Sequence, residues 1–333
     1  MPTDKPSGLD EFGRIARFFR PLAAEFPGAY ALTDDAASIQ VPAGKELVVT
    51  TDAIVAGIHF LPDDPPQDVA RKGLRVNLSD LAAKGAQPLA YTLSLALRAD
   101  TPDSWLERFA AGLADDQARY GMQLAGGDSV STAGPIWLSI TAFGLAEAGR
   151  MVRRAGAKPG DSVFVTGTIG DAALGLAVAQ GRLACNAEDA AALLGRYRLP
   201  QPRNVLAGTI ATHAHAAIDV SDGLAADFAH LCRASHVKGE IAVASIPLSP
   251  AARRIVEAEP DRLPALLSGG DDYEILMTAA PSAASALHVA AGAAGVLLTE
   301  IGKISGRSES GESALIDSGG AKLTLSKAGW THA

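Results

Sequence analysis

Short stretches of this chain bring carboxylates next to hydroxyls or glycines: Asp34-Asp35, Thr50-Thr51-Asp52, Asn77-Leu78-Ser79-Asp80, Gly126-Gly127-Asp128, Asp219-Val220-Ser221-Asp222-Gly223 and Gly269-Gly270-Asp271-Asp272-Tyr273-Glu274. Oxygen donors of this kind suit Mg²⁺, which keeps several waters and bridges substrate phosphates instead of sitting in an all-protein cage. Acids arriving from so many segments point to one shared site, where each offsets cation charge beside a polyphosphate. The two glycines directly before Asp128 let the backbone pass close to a phosphate or nucleotide.

Familiar nucleotide signals are missing. No Gly-x-x-x-x-Gly-Lys-Ser/Thr occurs, since Gly44-Lys45 is followed by Glu46, and neither a protein-kinase catalytic loop nor a Gly-x-Gly-x-x-Gly opening a helix is present. If phosphate is handled, metal must replace the lysine cradle. Lys and Arg number 29 against 37 Asp and Glu, and the net charge of −8 leaves no electrostatic footprint for nucleic acid or an anionic membrane. Cys185 and Cys232 lack metal-site spacing and are too few for a disulfide scaffold, which points to a reducing compartment and the cytoplasm. The first residues carry no secretory signal, and no apolar run is long enough to span a membrane.

The elements that must position the acids read as alternating helices and strands. Residues 47–60 run apolar and break into Thr50-Thr51-Asp52, which predicts a buried strand delivering hydroxyls and a carboxylate to its own end. An amphipathic helix is expected over 11–26, ended by Pro27-Gly28, and a strand or hairpin arm over 30–41 carries the first acid pair. Then follow a helix over 69–84 that places Asp80 three residues after Asn77, a strand over 91–97, a helix over 104–120 and a strand over 136–145. At 333 residues two domains are the natural expectation, with 147–150 as the link between 1–148 and 149–333. The second half predicts strands at 162–166, 216–220 and 275–278, helices at 172–180 and 224–235, and a poorly periodic tail over 306–320. Its glycine turn at 167–171 could present amides to a phosphate, though many such turns serve packing alone.

Taken together, Thr50-Thr51-Asp52 with Gly57-Ile58-His59-Phe60, the segment 76–83 around Asp80, Gly126-Gly127-Asp128, the segment 219–224 and Gly269-Gly270-Asp271-Asp272-Tyr273-Glu274 resemble thiamine-monophosphate kinase, in order from about Phe12 to Trp330. The resemblance implies a two-domain α/β (α+β) fold similar to aminoimidazole ribonucleotide synthetase. Its N-terminal domain would form a dimer-interface sheet or barrel, and its C-terminal α/β domain would complete an active-site cleft. The implied activity is transfer of the γ-phosphoryl group of ATP onto thiamine monophosphate, with several Mg²⁺ ions. By family pattern the metal ligands would be Asp35, Thr50, Thr51, Asp52, Asp80, Asp128, Asp219 and Asp222. ATP would meet Tyr120, Gly127, Asp128, Arg154 and Ser221, and thiamine phosphate would meet His59, Asp271 and Trp330. A homodimer is implied as well. The chain departs from the pattern at Thr33, where glycine is usual, and at Ser129-Val130-Ser131-Thr132, where an arginine has no counterpart.

No catalytic acid, base or covalent nucleophile is expected. A phosphomonoester has its second pKa near ~6, so the attacking oxygen is already ionised at neutral pH. Taken singly, each acid reads as a cap or turn, His59 as a structural histidine, Trp330 as a packing anchor and Arg154 as half of a solvated basic pair. The joint pattern carries the kinase reading. Two others stay open: a related ATP-using enzyme with a different phosphate or carbonyl substrate, and a non-catalytic binding protein that kept the fold.

Overall fold

The computed structural model describes residues 9–325, 327, 329 and 330. The chain divides into two compact units, one holding the residues up to Asn77 and Pro88–Leu145, the other holding Leu78–Gln87 and the residues from Ala146 onward. The division falls inside the longest helices and strands of the first half, so that Ser79 and Asp80 belong to the second unit.

In the first unit the elements run α1 Glu11–Arg14, β1 Lys45–Val55, α2 Pro66–Ala83, β2 Gln87–Arg98, α3 Asp103–Tyr120, β3 Gln123–Thr132 and β4 Trp137–Glu147. The strands form one sheet in the order β1-β4-β2-β3, with β2 and β3 parallel. Helix α3 follows from its apolar stripe: Leu106, Phe109 and Leu113 are buried at helical spacing, and Trp105 stacks on Phe109 with ring centroids 5.0 Å apart. Gly121 ends it in the left-handed region at φ 66°.

Three expectations for this unit need correcting. The helix over 11–26 is broken into α1, a π turn at Ile15–Phe19 and a 3₁₀ turn at Arg20–Ala23, because Pro21 cannot donate within a regular α ladder. Residues 30–41 form no strand. Tyr30, Ala31 and Leu32 take φ of 49°, 56° and 55°, a left-handed run that ends a 3₁₀ turn and leaves the apolar alternation without a partner strand. Strand β1 is also not buried: it is a sheet edge, Val49 is 54% exposed, and Thr50-Thr51-Asp52 lie mid-strand instead of at its end.

The second unit contains β5 Ser162–Thr166, α4 Asp171–Ala179, α5 Ala187–Arg198, α6 Ala207–His213, β6 Ala214–Asp219, α7 Leu224–Ser235, β7 Val237–Ala242, α8 Pro250–Ala258, α9 Leu263–Leu267, β8 Ile275–Ala279, α10 Ala284–Ala293, β9 Leu298–Arg307 and β10 Glu312–Ile316. Its sheet has the order β10-β7-β9-β5-β8-β6, antiparallel throughout except for the parallel β10-β7 pair. The central strands are continuous apolar runs because both sheet faces are covered. Val163, Val165, Ile218 and Leu276 enter one core with Leu224, Phe228 and Ile255, while Phe164, Ala217, Ile275 and Met277 enter the other with Ile210 and Leu287. The tail expected to lack periodicity holds the end of β9 and then β10, an edge strand whose burial alternates only partly.

Within the first unit the Arg75 guanidinium grips the Asp116 carboxylate with both ends, Nε to Oδ2 at 2.6 Å and Nη2 to Oδ1 at 2.8 Å, and both side chains are almost wholly buried. Breaking such a pair strands a charge out of water. Arg75→Ala is therefore expected to lower the unfolding free energy by about 3–5 kcal/mol, while Arg98→Ala at the exposed Arg98–Asp100 pair should be nearly silent. Urea unfolding of both variants measures this, and equal midpoints would remove the buried pair from what stabilises the unit.

Candidate functional site

Strand β6 ends at Asp219 and helix α7 starts at Leu224, so the intervening 220–223 turn delivers acids at the end of a buried strand. Asp219 is 4% exposed and faces Asp80 and Asp227. Burial, and then those two like charges, push its carboxyl well above the usual carboxylate range, against the hydrogen bond from Ser79 and the charge of Lys84. Asp227, one turn into α7, accepts from the amides of Asp222 at 3.0 Å and Gly223 at 3.1 Å. Burial and the Asp222 charge outweigh those amides and raise Asp227 to about 7. Burial lowers Lys84, whose ammonium donates to the Ala217 carbonyl at 3.0 Å. Arg154 is exposed at the rim, close enough for its charge to act on Lys84 and Asp227.

The 268–274 loop packs on this turn. Asp271 N donates to Ser221 O at 2.9 Å, Tyr273 N to Val220 O at 2.8 Å, and the Ser79 hydroxyl lies 3.4 Å from Tyr273 O. Trp330 N donates to Asp222 O at 2.9 Å and the residue is 53% exposed. The glycine turn before α4 does not await a phosphate: the Asp272 carboxylate already takes the Gly170 amide at 2.7 Å and the Ala172 amide at 3.3 Å. Sequence reasoning missed Glu274 and its partners Arg196 and Arg203, which form an ion cluster around a wholly buried carboxylate. Arg196 lies on α5 and Arg203 in the loop after it, far along the chain, so spacing alone carried no signal; the one hint was a glutamate next to an apolar strand.

In the first unit a cavity of about 490 Å³ is lined by Asp34, Asp35, Thr92, Gly127, Asp128 and Ser129, among others. It brings together the first acid pair and the Gly126-Gly127-Asp128 segment, although the latter sits inside β3 and not in a turn. Gly127 is glycine for a local reason, since a Cβ there would collide with the Leu93 carbonyl of the paired strand. Thr50, Thr51, Asp52, His59 and Tyr120 are not among the lining residues. The Thr51 hydroxyl donates to Ile140 O at 3.2 Å and accepts from Thr141 at 3.1 Å. His59 Nδ1 accepts from the Val55 amide at 3.1 Å, which puts the proton of the neutral ring on Nε2. The Tyr120 ring meets the guanidiniums of Arg75 and Arg119, 5.7 Å and 5.5 Å from its centroid.

Among the described residues no group of three or more His, Cys, Asp or Glu gathers closely enough to hold a metal by itself. The donor set fits a cation of another kind. Oxygen-only ligands with surplus negative charge suit an ion held by one or two carboxylates and completed by water and phosphate.

The pattern described as AIR synthase related protein, N-terminal domain, matches residues 33–146, and the corresponding C-terminal domain matches 158–313. A thiamine-monophosphate kinase of Caulobacter vibrioides is 44% identical over 97% of this chain and 90% of its own length. Its counterpart in Escherichia coli K12 is 44% identical over 88% and 90%. Among solved structures, a thiamine-monophosphate kinase from Stenotrophomonas maltophilia K279a aligns with a TM-score of 0.78 at 38% identity, covering 85% of this chain and 89% of that one. AaThiL complexed with AMPPCP and TMP aligns with a TM-score of 0.76 at 32% identity, covering 99% of both chains. The hydrogenase maturation protein HypE in complex with ATP, at 17% identity, shares the fold.

The raised Asp227 carboxyl gives a pH signature. A folded value of about 7 lies above the ordinary carboxylate value, so the folded state holds its proton longer. The resulting stability is complete below about pH 4 and is lost as pH rises through about 7. With a chelator present, the stability of the wild type relative to Asp227→Asn should fall by about 4 kcal/mol across that window. Urea unfolding at several pH values reads it; a constant difference would show that Asp227 ionises normally.

Proposed function

The chain belongs to the AIR synthase related family and, within it, to the thiamine-monophosphate kinases, and from that premise we propose direct in-line transfer as the chemistry by which it phosphorylates thiamine monophosphate with ATP. The observation that carries this reading is the near-complete alignment with AaThiL, whose structure holds an ATP analogue and TMP together. An oxygen of the thiamine monophosphate phosphate attacks the γ-phosphorus. The new oxygen–phosphorus bond forms as the bond to the β–γ bridging oxygen breaks, releasing ADP and leaving thiamine diphosphate. The acceptor oxygen is already ionised, so the chain needs no general base, and its residues act by positioning and by offsetting charge.

Mg²⁺, when bound, offsets the phosphate charge. Asp35, Thr50, Thr51, Asp52 and Asp128 in the first unit and Asp80, Asp219 and Asp222 in the second are the residues proposed to hold it. The crowding of Asp219 against Asp80 and Asp227 supports this, because like charges held together in a buried pocket call for a cation. Tyr120, Gly127, Asp128, Arg154 and Ser221 are assigned to ATP. His59, Asp271 and Trp330 are assigned to thiamine monophosphate, for which an exposed indole offers a stacking face. A homodimer joined through the first unit fits the two sheet edges there, which expose Val49 and Val130. The net charge of −8 supports a partner list without nucleic acid or membrane. Among the described residues no helix is long and apolar enough to cross a membrane, and the cytoplasm is the proposed location.

Purified protein given ATP, Mg²⁺ and thiamine monophosphate should yield ADP and thiamine diphosphate. Asp52→Asn should lower kcat by about 10²-fold or more with the fold intact; near-wild-type turnover would count against its metal role. Trp330→Ala should weaken thiamine monophosphate binding more than ATP binding in titration calorimetry, and equal losses would withdraw the stacking assignment.

A further inference from the structure

The loop that carries Asp271 is held in an unfavourable shape. Asp271 and Tyr273 adopt φ of 72° and 49°, in the left-handed region that residues with a Cβ avoid. Their amides are tied to Ser221 and Val220, and the residues beside them are pinned inward. Asp272 is fixed on the Gly170 and Ala172 amides. Glu274 is 0% exposed, and every acceptor position of its carboxylate is used. Oε1 accepts from Arg196 Nη2 at 2.7 Å and from Arg203 Nη2, while Oε2 accepts from Arg203 Nε and from the Thr166 hydroxyl, each at 2.7 Å.

This cluster also grips the backbone. Arg196 Nη2 reaches the Asp272 carbonyl at 3.4 Å, Thr166 Oγ1 accepts from the Ile275 amide at 2.8 Å, and the Val220 amide donates to the Glu274 carbonyl at 2.8 Å. Gly167 leaves the cluster its space, since a Cβ there would strike the Glu274 carboxylate and the Arg203 guanidinium. An apolar filling would serve a core equally well or better. What an ion cluster with a fully engaged carboxylate adds is direction: it fixes the backbone one residue away from Tyr273 and three from Asp271.

We infer that Glu274, clamped by Arg196 and Arg203, is a positioning residue that holds the 271–273 backbone in its left-handed shape and thereby sets the affinity for the phosphate acceptor. The inference rests on the assignment of Asp271 to thiamine monophosphate. The clamp touches no reacting atom, so its removal should leave nucleotide binding in place and loosen the acceptor.

The test uses Glu274→Gln, which keeps the shape but not the charge, and Arg196→Lys, which keeps the charge but cannot span Glu274 and the Asp272 carbonyl. Arg196 lies at the cluster's rim with 15% of its side chain exposed, so this second variant is available should the first fail to fold. Hydrogen exchange of the 268–274 segment should rise about tenfold or more in both variants, and calorimetry should show thiamine monophosphate binding weakened by about 10-fold or more with AMPPCP binding within about twofold. Glu274→Asp, which keeps the charge on a shorter side chain, should bind the acceptor more tightly than Glu274→Gln. Equal losses for the two ligands, or faster exchange with unchanged acceptor binding, overturn the proposal. Wild type that binds thiamine monophosphate without phosphorylating it would sink the kinase reading and leave the clamp standing. Active wild type, with variants that bind the acceptor as tightly, overturns the clamp alone.

Discussion

Holding carboxylates together out of water is the constraint to which the second unit is built. Each buried carboxylate forgoes several kcal/mol of hydration, and neighbours of the same sign add to that penalty. A soft scaffold would relieve it by moving the acids apart. Here they cannot separate, because Asp219 ends a strand flanked by β8, Asp222 and Asp227 are tied together at the start of α7, and Asp80 sits on a helix end pinned to the same unit. That pinning is specific: the Asn204 amide donates to Leu78 O at 2.9 Å, and Lys84 donates to Ala217 O.

The same acids explain why phosphate recognition lacks its usual helix signature. A helix N-terminus presents free amides and a positive dipole end, and both α4 and α7 could have served. In each the chain has filled the place with its own carboxylate, Asp272 at α4 and Asp227 at the turn leading into α7. These amides are therefore already engaged by the chain itself. This agrees with a sequence that has acids where a lysine cradle would stand.

Much of the second unit was legible in the sequence because strands covered on both faces leave continuous apolar runs, as at 162–166, 216–220 and 275–279, and because α7 begins and ends where its apolar period does. The 30–41 segment misled for the opposite reason. Its apolar alternation is real, but alternation makes a strand only where a neighbour supplies hydrogen bonds, and three successive left-handed residues turn the chain before it can pair. Among candidate site residues the acids were visible as dense short motifs, and the cavity joining Asp35 to Asp128 agrees with their being read together. Their supports were not visible. Arg196 and Arg203 look like ordinary charges, and only folding brings them to Glu274, 78 and 71 residues away.

Strand geometry also refines what Thr50-Thr51-Asp52 can do. Successive side chains of a strand point to opposite faces, so Thr50 and Asp52 share one face of β1 and Thr51 occupies the other. The burial follows that period, with Thr50 and Asp52 half-buried and Thr51 exposed. The Thr51 hydroxyl is engaged with Ile140 O and Thr141 on its own face. The side-chain oxygens of Thr50 and Asp52 therefore lie on one face of β1, while the Thr51 hydroxyl stays engaged on the other.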